Sequence, residues 1–235
     1  AAARDITLGG TISAANLVDV SAGDAVQGTV KDGSIQSGSY LKLTVTNAAG
    51  DISISAGSVG GDIAMTNQAL VTAPDRVTLT AAAGRIQHAD GFITATTLTA
   101  DAESGFSAIT TVDVLDVAVT DTGNMDISNT QEVNLLDLSA ADGSITVKAL
   151  GDITATKIHT LGETDRNDIT LSAIKPSVDA PAVSMTLVDL SAAGLGDIFL
   201  TSHGSISQSS GVLVADVISV NVFGGVSLRT DASSL

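Results

Sequence analysis

The sequence predicts a parallel β-helix, in which one small unit is wound and stacked many times. Three observations carry that expectation. The first is repetition. Gly196-Asp197-Ile198-Phe199-Leu200 is followed by Gly204-Ser205-Ile206, and variants recur as Gly33-Ser34-Ile35, Gly50-Asp51-Ile52, Gly61-Asp62-Ile63, Gly84-Arg85-Ile86, Gly143-Ser144-Ile145 and Gly151-Asp152-Ile153. The second is period. Apolar residues alternate with Thr, Ser or Asp in short runs, which is strand spacing and not the 3.6-residue spacing of a helix. The third is composition. Hydrophobic residues make up 44% of the chain but aromatics only 2%, with no Trp, one Tyr (Tyr40) and four Phe. The core must therefore be built from Val, Ile, Leu and Ala around a ring-free axis, with Ile52, Ile153 and Ile198 facing inward.

The 235 residues suffice for one sizeable core. In a solenoid, length counts coils and not domains, so a single β-helix over 1–235 is expected, as a segment or subunit of a longer fibre. The net charge of −16 repels nucleic acid and anionic membrane surfaces. Nearly all the acids are Asp, a turn-former whose short side chain bonds nearby backbone. There is no Cys, and a long β-column does not need disulfides. No run of about 18 apolar residues is present, so no transmembrane helix is expected. Ala1-Ala2-Ala3-Arg4-Asp5 contains neither an initiator Met nor a signal peptide, and reads as the start of a processed or excised piece.

In chain order, Asp5-Ile6-Thr7-Leu8, Thr11-Ile12-Ser13 and Leu17-Val18-Asp19-Val20-Ser21-Ala22 set the pattern, with corners at Gly9-Gly10 and Gly23-Asp24. Leu41-Lys42-Leu43-Thr44-Val45, Asp51-Ile52-Ser53-Ile54, Asp62-Ile63-Ala64-Met65 and Val77-Thr78-Leu79-Thr80-Ala81 continue it, and Pro74 beside Asp75 marks a corner. The intervals Gly61 to Gly84 and Gly123 to Gly143 give a coil of roughly 20–25 residues with three short strands. Residues 112–127 are the least regular stretch but still alternate. Leu135-Leu136-Asp137-Leu138-Ser139-Ala140 and Leu187-Val188-Asp189-Leu190-Ser191-Ala192 repeat the phrase at Leu17. Two stretches break the pattern. Residues 162–168 are polar and charged, and 174–184 hold Pro176 and Pro181, which cannot sit in a central strand. Both are expected as projecting loops. Val212-Leu213-Val214, Val217-Ile218-Ser219-Val220 and Val226-Ser227-Leu228 carry the alternation nearly to the terminus.

Gly-Asp-Ile-x-Leu, then Gly-x-Ile and a Leu-x-Leu-x-Ala phrase, resembles the repeats of filamentous-haemagglutinin-like exoproteins and related autotransporter passengers over most of residues 4–228. The resemblance implies a right-handed parallel β-helix, secretion to the bacterial cell surface, and roles in adhesion, aggregation or matrix. The Asn-Pro-Asn-type motifs of that family's secretion domain are absent, so the resemblance is to a repeat region.

No residue is assigned as catalytic, cofactor-binding or metal-ligating. Asp113 with Asp116, and Asp121 with Asp126, could supply acid and base for glycosidic chemistry. Turn chemistry already explains Asp at such places. Calcium is the one cofactor that the Asp, Asn and Gly content leaves open, yet neither the Gly-Gly-x-Gly-x-Asp nonapeptide nor EF-hand spacing occurs. His88, His159 and His203 are far apart and lack zinc spacing. Ser202-His203-Gly204-Ser205 is a corner without the Gly-x-Ser-x-Gly elbow of a nucleophile. Gly57-Ser58-Val59-Gly60-Gly61 lacks the Lys of a phosphate loop. The functional expectation is a non-enzymatic stalk or adhesive fibre whose loops carry recognition of a cell-surface or glycan receptor. Its alternatives are a filament or surface-layer subunit joined to other copies end to end, and a polysaccharide-acting enzyme on the same scaffold.

Overall fold

The alternating phrases form strands, and among the described residues there is no helix. The computed structural model describes residues 10–14, 17–21, 35–36, 43–47, 51–56, 61–65, 69–88 and 91–234. The expectations placed on residues 1–9, Gly23-Asp24, Gly33-Ser34, Leu41-Lys42, Gly50 and Gly57-Ser58-Val59-Gly60 lie outside the described residues. Two compact units are present, Ala1–Val112 and Asp113–Leu235. Each is a stack of coils in which every strand pairs in parallel with its counterpart in the next coil. This is a β-solenoid of the β-helical repeat type.

In the first unit three faces can be followed upward. Gly10–Ala14, Leu43–Asn47, Ala69–Thr72 and the start of Gly91–Ala102 stack on one face. Leu17–Ser21, Asp51–Ala56, Arg76–Ala81 and the end of Gly91–Ala102 stack on the second. Ile35–Gln36, Ile63–Met65, Ile86–His88 and the start of Phe106–Thr122 form the third. Pro74 and Asp75 make the corner between the first two faces, where the Thr97 amide donates to the Asp75 carbonyl at 2.8 Å.

The second unit repeats the plan. Its third face is a ladder of Met125, Ile145, Ile169, Ile198 and Ile218, each in register with the next. On its first face Val133, Ile153, Met185, Ile206 and Val226 do the same. Several of these are the inward members of the Gly-x-Ile phrases; all but Val226, which is 49% exposed, are buried, Ile153 and Ile198 among them, and Ile52 of the first unit is buried too. Similar apolar side chains stacked coil on coil give each inner one a close-packed neighbour above and below, where burial is worth about 1.5–3 kcal/mol per side chain.

The first and second faces meet at a bend without glycine. Leu135 and Leu138 are both fully buried while Leu136 is 45% exposed and Asp137 half-buried. Two successive outward residues thus turn the chain within one continuous strand, Val133–Asp142. This is the structural content of the Leu-x-Asp-Leu-Ser-Ala phrase at 135 and 187. The copy at Leu17 differs: it pairs straight along Asp51–Ala56 as one strand. The irregular stretch at 112–127 contains register shifts at Leu115/Asp116 and Val119/Thr122.

Several of the other corners carry a glycine followed by a polar residue, and the structure gives the reason. A Cβ on Gly84 would lie 2.6 Å from the carbonyl carbon of Gly61, and one on Gly143 2.6 Å from that of Gly123, so glycine is required where corner backbones stack. The polar residue at the next position ties the coils together. Asp62 accepts the Arg85 amide at 2.8 Å through Oδ1, while the Ile63 amide donates to the Arg85 carbonyl at 2.8 Å. Asn124 and Met125 hold both backbone groups of Ser144 in the same way, Asp152 and Ile153 those of Ser184, and Asp168 and Ile169 those of Asp197. A corner amide that the strand ladder cannot reach is satisfied by the carboxylate or amide oxygen from the coil below.

Two expectations are corrected. The axis is not ring-free: Phe106 is 1% exposed and packs in register with Ile86, and the His88 ring is buried too. Methionines 65, 125 and 185 also fill the core, as flexible side chains suit irregular gaps. The coil of roughly 20–25 residues holds where nothing is inserted, and loops at the corners lengthen it, as expected. Val133 pairs with Ile153, an offset of 20, but Ile153 pairs with Met185, an offset of 32, because the intervening coil carries both insertions. And residues 162–168 do not simply project. Their exposed part ends at Asn167, which is fully buried.

Candidate functional site

The insertion at 174–184 is the feature of the second unit that stands away from the column. It leaves the third face after Ala173 and rejoins the first face before Met185. Pro176 and Pro181 keep it out of the ladder. Its ends are anchored: the Ile174 amide donates to Ala149, and the Ser184 amide to Asp152 Oδ1 at 2.7 Å. Between them Val178 is 91% exposed. A groove lies on each side of the loop.

On one side Lys175, Ser177 and Val178 face His203 and Phe223, corner residues of the following coils, across an open recess of about 460 Å³. The His203 and Phe223 rings meet edge to face, with centroids 5.3 Å apart and planes at 87°. His203 Nδ1 accepts the Lys175 backbone amide at 3.4 Å, which fixes the loop's root to the same imidazole. On the other side Pro176, Pro181 and Val183 wall a groove of about 500 Å³ whose floor presents Asp113, Glu132 and Asp152. There the Gln131 Nε2 amide donates to Asp113 Oδ1 at 2.7 Å. The two grooves have opposite character: one aromatic and cationic, the other acidic.

The candidate pairs of carboxylates are separated. Asp113 opens onto the acidic groove, whereas Asp116 lies on the second face in register with Asp137. Asp126 sits on the third face opposite Thr146, and Asp121 in the register shift that precedes it; both are exposed. The histidines are equally dispersed. His88 is buried, with Nε2 bonded to the Ala69 carbonyl at 3.0 Å. His159 faces outward with Nε2 at 3.2 Å from Asp189 Oδ2. Ser202 is buried and its hydroxyl donates to the Val183 carbonyl at 2.9 Å, so it holds a corner rather than addressing His203. Among the described residues no group of three or more acids and histidines is arranged to hold a metal ion.

Charge is organised on the second face. Asp116, Asp137, Lys157 and Asp189 form an outward column, with Lys157 Nζ 2.6 Å from Asp137 Oδ2. The hydrogen bond and charge of Asp137, then the charges of Asp189 and Asp116, hold the Lys157 ammonium above its ordinary value. At a third-face corner Asp197 is raised first by burial, is lowered by the Val217 amide it accepts at 3.0 Å, and is raised again by Asp168, Asp216 and Asp165.

Sequence reasoning singled out the loop and His203 but missed Phe223 and Lys175. The available signal was an aromatic residue set directly before the corner Gly224-Gly225 in a chain almost without rings. Comparison with protein-family models, with curated proteins and with solved structures finds no match to this chain.

Proposed function

We propose that the chain is part of an extracellular bacterial stalk or adhesive fibre of the filamentous-haemagglutinin-like kind, and that the loop at 174–184 carries recognition of a surface or glycan receptor. The observation behind this reading is the insertion itself. The strands before and after it keep full pairing, so the column bears a displayed loop with a groove on either side at no expense in register. The strand faces around it are polar on the outside, as Thr, Ser and Asp alternate with the core residues, and a flush polar surface favours reach and solubility over enzymatic enclosure.

The test is adhesion. The labelled protein is laid over cultured epithelial cells beside a variant in which Ser177–Ala182 is replaced by two glycines. The expected result is that the variant keeps its far-UV circular dichroism and loses most of its cell binding. Equal binding by both proteins, or binding by neither, overturns the reading.

A further inference from the structure

The aromatic groove has properties that the column does not need. Phe223 leaves 80% of its surface in water, although the chain has only four Phe. Its ring is held by the edge-to-face contact with His203, and His203 by the Lys175 amide, so platform, imidazole and loop root are one braced assembly. The lining of the groove contains a lysine and no carboxylate, in a protein whose net charge is −16. The recess on the far side of the same loop presents three carboxylates.

From these residues we infer that the groove binds a glycan through a single carboxylated sugar, an inference that rests on the adhesive reading and gives its receptor a chemistry. The negative face of an aromatic ring attracts the polarised C–H groups on one face of a pyranose, and Phe223 offers such a ring beside an open cleft. The Lys175 ammonium supplies a charge-assisted bond to the sugar carboxylate. His203 accepts at Nδ1, so in the neutral ring the proton is on Nε2, which donates to a sugar hydroxyl. Ser177 Oγ can donate or accept beside it. A polyanion is disfavoured, since it would extend beyond the lysine into the field of the acidic chain. Acids more than about 8 Å away are largely screened at physiological salt, so a single carboxylate answers chiefly to Lys175.

The experiment is calorimetric titration of the whole chain with two matched trisaccharides, one ending in glucuronate and one in glucose. The glucuronate form is expected to bind about tenfold more tightly, as a charge-assisted bond warrants. Phe223→Ala is expected to weaken both ligands, and Lys175→Gln to abolish the difference between them while leaving the glucose form unchanged. Phe223 is largely exposed and Lys175 lies in the loop, so an unchanged circular-dichroism spectrum is the expected control. Equal affinity for the two sugars, full binding by Phe223→Ala, or binding of neither sugar overturns the inference. If neither sugar binds while loop-dependent cell adhesion persists, the glycan assignment falls and the adhesive reading stands; if the sugars bind but adhesion ignores the loop, the reverse holds.

Discussion

The coil that runs from Ile153 to Met185 contains two polar insertions, and they are held in opposite ways. The first, at 161–168, is pinned by Asn167. Its Oδ1 accepts the Gly143 amide from the coil below at 2.7 Å, its Nδ2 donates to the Thr164 carbonyl and hydroxyl, and its own carbonyl accepts the Thr160 hydroxyl at 2.7 Å. The second, at 174–184, is fastened at its ends and open between them. Polarity therefore does not by itself mark a displayed loop. What distinguishes the two is whether the polar groups are spent on the corner below or left facing solvent.

That contrast can be broken from either side. The largest effect is expected from Asn167→Ala. It leaves a buried Gly143 amide without its acceptor and releases the Thr164 turn, so a loss of about 2–3 kcal/mol is expected in urea unfolding, with accelerated exchange of the Gly143 amide. A loss below about 0.5 kcal/mol would show that the first insertion is as dispensable as the second. Replacing Ser177–Ala182 by two glycines should change stability by less than about 1 kcal/mol, since loop-closure entropy varies slowly with length. A larger loss would mean that this loop also supports the column.

The smallest effect sharpens the account of the corners. The Asp197 carboxyl is held above its ordinary value of 3.8 in the folded chain. The folded state therefore binds that proton more tightly than the unfolded state does. The stabilisation from this group grows as pH falls through the raised value and is complete below the unfolded one. Asp197→Asn keeps an oxygen for the Val217 amide and removes the charge facing Asp168, Asp216 and Asp165. At neutral pH it should be neutral or stabilising, within about 0.5 kcal/mol because the carboxyl is only partly buried, and the advantage should vanish near pH 4. Destabilisation at neutral pH, measured by urea titration, would show that the ionised carboxylate is needed at the corner.

The faces and corners were legible because they rest on repetition. The spacings Gly61 to Gly84 and Gly123 to Gly143 are the stacked corners themselves. Asn167 was hidden for a physical reason. In Asn167-Asp168-Ile169 an asparagine stands where the phrase has glycine, and within a charged run it reads as loop. Phe106 was missed because composition describes an average core, while one ring fits where a particular coil has room. The aromatic groove could not be read at all from local pattern. Lys175, His203 and Phe223 meet only because three coils of unequal length bring their corners together.

The paired grip at these four corners, a side-chain oxygen for the amide and a strand amide for the carbonyl, has a consequence for how such a chain can change. Alignment is re-established at such corners by groups that sit next to one another, so an added stretch of residues is absorbed where it enters and is not passed on. Gene-level insertions at a corner can therefore furnish new exterior surface while the neighbouring turns keep their sequence, their partners and their packing.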